Sequence, residues 1–97
     1  MIEHIVLIRW METTSEETID KALVELRQMK DKIPGIIDLT CGANFSARAK
    51  RYKHGLVARF KDRAALEAYL AHPEHQRVVQ HFIGPFHNDI LILDYEF

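Results

Sequence analysis

A strand that is apolar on both faces must be covered on both sides, and this chain carries two of them. Ile2–Trp10 sends Ile2, His4, Val6, Ile8 and Trp10 to one face and Glu3, Ile5, Leu7 and Arg9 to the other. The last segment, Asn88–Phe97, sets Ile90 and Ile92 against Leu91, Leu93 and Tyr95. A sheet wetted on one side would alternate more cleanly between apolar and polar residues.

The segments between them supply cover for one side only. Thr14 followed by Glu17 reads as a capping box that opens a helix. Ile19, Ala22, Leu23, Leu26, Met29 and Ile33 then recur at helical spacing, and Pro34-Gly35 stops the run. Ile36–Phe45 is a second strand, with Ile37, Leu39, Cys41, Ala43 and Phe45 on one face. After a polar, basic connection, Tyr52–Lys61 forms a third strand that points His54, Leu56, Ala58 and Phe60 one way. Asp62 caps a short helix through Leu70, with Leu66, Tyr69 and Leu70 inward. His72-Pro73 breaks it, and Pro73 starts another short helix with His75, Val78, Val79 and Phe82 on one side.

The order is β-α-β-β-α-β, an α+β chain on the ferredoxin-like plan. Helices cover one face of such a sheet, and the first and last strands are expected side by side at its centre. Leaving their second face wet would forgo roughly 25 cal/mol per Å² of apolar area. A second copy of the same sheet is the economical cover, so a homodimer through the sheet face is predicted.

At 97 residues the chain fits one domain, residues 1–97. Its net charge of −1 removes the electrostatic footprint of a nucleic-acid or anionic-membrane binder. The single cysteine, Cys41, cannot form an internal disulfide, and no basic leader or long apolar run opens the chain. A cytoplasmic location is expected.

Six segments stand out: His4-Ile5-Val6-Leu7, Lys32-Ile33-Pro34-Gly35-Ile36, Gly42-Ala43-Asn44, Tyr52-Lys53-His54-Gly55, the block from Leu66 to His75, and Asp94-Tyr95. Together they resemble the stress-responsive dimeric A/B-barrel (Dabb) family. Tyr69-Leu70-x-His72-Pro73-x-His75 is the most specific of these. The resemblance implies two ferredoxin-like subunits whose sheets close face to face into a dimeric α+β barrel, with helices outside. Some members are known only as stress-induced proteins. One plant member is a polyketide cyclase that closes a ring by aldol condensation. Its histidine–tyrosine acid/base pair corresponds to His75 and Tyr69, and its supporting pocket histidines to His4, His54 and His72. The cyclase also has a pocket tyrosine on its first long helix, where this chain carries Leu26.

Six histidines are many for so short a chain, and histidine is the natural proton shuttle near neutral pH. Strand parity and helical periodicity turn His4, His54, Tyr69 and His75 toward the space between sheet and helices. There they can line a cavity for a small apolar carbonyl ligand. In the enzymatic reading, His75 removes a proton alpha to a carbonyl while Tyr69 donates to the developing oxyanion. In the structural reading the same side chains are core or helix-end residues bonded to backbone, and His72 is simply a cap.

Three functions from different classes follow: a dimeric stress-associated protein with a ligand-binding cavity and no established reaction; a cofactor-free cyclase-like or isomerase enzyme using His75 and Tyr69; and a haem-degrading monooxygenase-like barrel, by fold analogy alone. Neither a cofactor nor a metal is expected. Pro73 interrupts the helix that would align His72 with His75, and no ligand-spaced Cys or acidic partner stands nearby. The basic run Arg48, Lys50, Arg51 and Lys53 reads as a solvated loop rather than a nucleic-acid patch.

Overall fold

A computed structural model describes residues 1–97. Strand β1 (Ile2–Trp10) leads into helix α1 (Glu16–Lys32), followed by β2 (Ile36–Ala43) and β3 (His54–Phe60). Helices α2 (Arg63–Ala71) and α3 (Pro73–Val78), a π-helical turn (Val79–Ile83) and β4 (His87–Glu96) complete the chain. The four strands form one antiparallel sheet in the order β2-β3-β1-β4, the ferredoxin-like arrangement.

The first and last strands are neighbours, but they do not share the centre. β1 and β3 are central, and β4 lies at the edge, paired with β1 alone. The reason is that β3 also pairs with β1, through Ile2↔Phe60 to Ile8↔His54, and so takes the other inner position.

Both faces of β1 behave as their composition demands. Ile2, His4, Ile8 and Trp10 are buried under the helices with Leu56, Ala58 and Phe60 of β3. Ile19, Ala22, Leu23, Leu26 and Met29 of α1 close the same core. Burying each large apolar side chain contributes about 1.5–3 kcal/mol. No helix covers the opposite face. Leu91 and Leu93 of β4 remain more than half exposed there, beside Tyr95 and Val57.

Local readings are corrected in three elements. Ser15, rather than Thr14, caps α1: its Oγ accepts from the Thr18 amide at 3.1 Å. Thr14 Oγ1 instead donates to the Phe86 carbonyl at 3.0 Å, tying the entry of α1 to the turn before β4. In β2 a bulge between Ile36 and Asp38 turns Ile37 outward, so Ile36 packs on the core while Ile37 is exposed. β2 ends at Ala43, which leaves Phe45 fully exposed at 99%. On α2, Leu66 and Tyr69 are buried, but Leu70 points to solvent because it lies about 100° around the helix from Tyr69. Gly35 closes the α1–β2 turn at φ +92°, a conformation that L side chains rarely adopt.

Candidate functional site

Three elements bring three rings together under the sheet. β1 presents His4, buried at 2% exposure, opposite Ala58 on β3 and Asp94 on β4. α2 lays Tyr69 over it, with ring centroids 5.8 Å apart and Phe60 5.0 Å from the tyrosine. α3 adds His75, whose ring centre is 4.5 Å from that of Tyr69. The proline that breaks the second helical unit makes this possible, since α3 starts afresh and turns His75 back toward Tyr69.

Polar partners divide the cluster unequally. His4 Nδ1 bonds to the Asp94 carboxylate, which fixes the tautomer and orientation of that ring. His75 Nδ1 is buried and has no hydrogen-bond partner. Buried polar atoms are nearly always paired, so an orphan here is unusual. Burial pushes the His75 pKa down; the nearby Leu70 carbonyl partly opposes this, and the His4 ring adds to it. Burial also pushes the Tyr69 phenol far up. At neutral pH the pair is therefore a neutral imidazole beside a protonated phenol: an acceptor next to a donor.

The other two pocket histidines lie elsewhere. His54 sits opposite Ile8, four residues along β3 from Ala58, and thus roughly 13 Å from the His4 position. Its Nδ1 accepts from Trp10 Nε1 at 2.9 Å. Burial lowers its pKa, with the Glu16 and Asp20 carboxylates opposing. His72 caps α3, its Nδ1 accepting from the Glu74 amide at 3.0 Å, and so it positions His75 through the helix. Leu26 is buried in the core.

The single cavity expected between His4, His54, Tyr69 and His75 does not form, because their rings pack against neighbours and His54 lies apart. An open cleft of about 290 Å³ lies instead between α2 and β4, lined by Ile2, Arg63, Leu66, Leu70, Asp94 and Tyr95, among others. It touches the cluster through Asp94. Sequence reasoning gave Asp94 no role in the site. The signal was available in the antiparallel pairing of β1 with β4, which sets Asp94 against His4.

Two further features bear on the site. Arg77 bonds Glu74 at 2.7 Å and Glu25 of α1 at 3.2 Å, fastening α3 to α1. Its guanidinium holds the Glu74 carboxyl at about 2, well below the usual range. Cys41 is half-buried, and burial pushes its thiol up, as for an inert packing residue. No three His, Cys, Asp or Glu side chains converge to hold a metal ion.

A four-stranded antiparallel sheet with helices on one face and an aromatic–histidine cluster beneath them defines a ferredoxin-like α+β domain. The model of the stress responsive A/B barrel domain matches residues 2–97, and the chain belongs to that family. It is 27% identical over 95 residues to a stress-response A/B barrel domain-containing protein of Arabidopsis thaliana. That match covers 98% of this chain and 36% of the relative, so the chain spans about a third of the relative's length. A solved protein from Jannaschia, described as dimeric, ferredoxin-like and of unknown function, is 30% identical, with a TM-score of 0.82 and 99% and 98% of the two chains covered. The hydroxynitrile lyase of Passiflora edulis superposes with a TM-score of 0.87 at 20% identity, covering 97% and 90%, a likeness of fold alone.

Proposed function

We propose that two copies of this chain pair sheet face to sheet face, and that the Tyr69–His75 cluster of each binds a small carbonyl-bearing ligand. The dimer is supported by the uncovered apolar face of β1 and β4 and by the dimeric description of the Jannaschia relative. The observation that carries the ligand reading is the buried, unpaired His75 Nδ1 beside the Tyr69 ring. A ligand presenting a donor or an acidic C–H to that nitrogen, and a carbonyl oxygen to the phenol, would satisfy both groups. The ligand would enter by the cleft beside Asp94. The single free thiol, Cys41, fits a reducing compartment, and the cytoplasm is part of the proposal.

A catalytic reading is favoured by the same pair, since both groups stand in the protonation states that an enolisation needs. His75 Nδ1 takes a proton from the carbon next to the carbonyl. The electron pair of that C–H bond forms a carbon–carbon double bond while the carbonyl π pair moves onto oxygen, which accepts a hydrogen bond from Tyr69. Proton return to carbon, or attack of the enolate on a second carbonyl, completes an isomerase or cyclase cycle. A fold neighbour that is a hydroxynitrile lyase supports the idea that this architecture can carry chemistry.

Sedimentation equilibrium at micromolar concentration tests the dimer, and a monomer there would overturn it. Acetophenone and simple alkyl ketones, added while the His75 ring resonances are followed by NMR, test the site. Binding should shift them and be lost in Tyr69→Phe. Saturation with no perturbation of His75 would reject the ligand reading, and deuterium exchange at the ketone alpha carbon would distinguish chemistry from binding.

A further inference from the structure

The end of β1 far from His4 carries charges that the fold leaves without partners. A cleft of about 210 Å³ opens there, and Arg9, Arg51 and Lys53 line it together with Glu12, Glu16 and Asn88. Neither the three cations nor the two carboxylates form an ion pair, whereas Lys21, Lys30, Lys32, Arg59, Arg63 and Arg77 each find a carboxylate elsewhere on the surface. Opposite charges thus share one cleft without meeting, which leaves room between them for a ligand.

Two local devices hold this arrangement. The first is the basic connection between β2 and β3, which is braced rather than loose. Its turn from Ala49 to Tyr52 is closed by the Tyr52 amide on the Ala49 carbonyl at 2.9 Å, with φ +51° at Lys50 and +68° at Arg51. Glycine or asparagine normally takes such positions, and a long side chain there is strained. The Asn44 side-chain amide donates to the Tyr52 carbonyl at 2.8 Å, and its backbone amide to the Lys53 carbonyl at 2.8 Å. The Tyr52 hydroxyl donates to the Asp89 carboxylate, and the Arg9 guanidinium lies 5.8 Å from the centre of the Tyr52 ring. The second device is a bulge: Arg9 pairs with Asp89 and Trp10 with His87, so Asn88 is an extra residue in β4. Bulges re-aim side chains and gather beside binding sites, and this one puts Asn88 on the cleft.

We propose that this cleft binds a small phosphate ester of a polyol, at a site separate from the Tyr69–His75 cluster. A phosphate monoester carries a charge of about −1.5 to −2 on three terminal oxygens. That matches two guanidinium groups, an ammonium and the Asn88 amide, whereas a carboxylate would leave at least one cation unmatched. Glu12 and Glu16 can only accept hydrogen bonds, so the other end of the ligand must donate, as hydroxyl groups do. The same two carboxylates repel a second phosphate, which turns the site against nucleic acid and polyphosphates. The strain at Arg51 sets its guanidinium in place before the ligand arrives.

Glycerol 3-phosphate is the probe, added in physiological salt while backbone amide resonances are followed by NMR. Those of Glu16, Arg51 and Asn88 should shift and saturate at millimolar ligand. Glycerol alone should leave them unmoved, and inorganic phosphate should bind about tenfold more weakly. Arg51→Gly keeps the turn, because glycine adopts its φ without strain, and should weaken binding about tenfold or more. Lys50→Gly removes the same charge from the same turn but lies off the cleft, so the affinity should be unchanged. Absence of any shift with glycerol 3-phosphate would overturn the site. An equal loss in the two glycine variants would overturn it too, by assigning the binding to the general charge of the loop. Equal affinity for inorganic phosphate would overturn the polyol half of the assignment.

Discussion

The ring of His75 lies 4.5 Å from that of Tyr69, and its Nδ1 is buried with nothing to bond. An apolar side chain of similar size would cost the folded chain less. On the proposed reading the pair is kept for a ligand rather than for packing.

His75→Leu should stabilise the chain by about 1 kcal/mol, because it removes an unsatisfied buried polar atom while keeping the volume filled. The same substitution should abolish the response to ketones. Urea unfolding, beside ketone binding followed through the remaining ring resonances, reads both quantities. A loss of stability would mean that His75 contributes to the fold in a way its geometry does not display.

Two histidines are held neutral by burial, His75 and His54, and both fold with lowered pKa values. Below about pH 6.5 the unfolded chain takes up these protons before the folded chain does. Stability should therefore fall as pH drops through that value, and go on falling until the folded pKa values are reached. His75→Leu should flatten part of that slope in urea midpoints measured from neutral to mildly acidic pH. An unchanged slope in His75→Leu and His54→Gln alike would show that neither group is responsible.

Trp10 is the only tryptophan and donates to His54 Nδ1. Protonation of that nitrogen ends the bond and places a cation beside the indole. Trp10 fluorescence should change with an apparent pKa below the ordinary histidine value and become insensitive to pH in His54→Gln. A transition that survives the substitution would assign it to another group.

Ser15→Ala should cost about 1 kcal/mol by leaving the Thr18 amide without its cap. Glu17→Ala should change stability by less than about 0.5 kcal/mol, since an exposed surface residue is being replaced. Thermal unfolding of the two variants separates this cap from the one expected at Thr14.

The order of elements was legible because each signal is local: parity in the strands, the helical stripe from Ile19 to Ile33, and the Asp62 cap. His4, Tyr69 and His75 were legible for the same reason, as each faces inward on its own element. Their grouping was not, because parity says which face a residue takes and nothing of its height along the strand. His54 and His4 share a face and yet sit about four residues apart along the paired strands. The role of Asp94 depends on the β1–β4 register, and the outward turn of Ile37 on a bulge that leaves no mark in the residue pattern.

That bulge has a consequence for chain length. Ile36 and Leu39 both face the core, although an unbroken strand would place them in opposite phase. Removing Ile37 would restore regular alternation and leave every later residue of β2 facing as it does now. An insertion or deletion of one residue at the start of this edge strand is thus absorbed locally, whereas the same change in β1 would invert the strand that carries His4. Length variation among chains of this architecture should collect at the entry to β2 and be absent from the strand that holds the site.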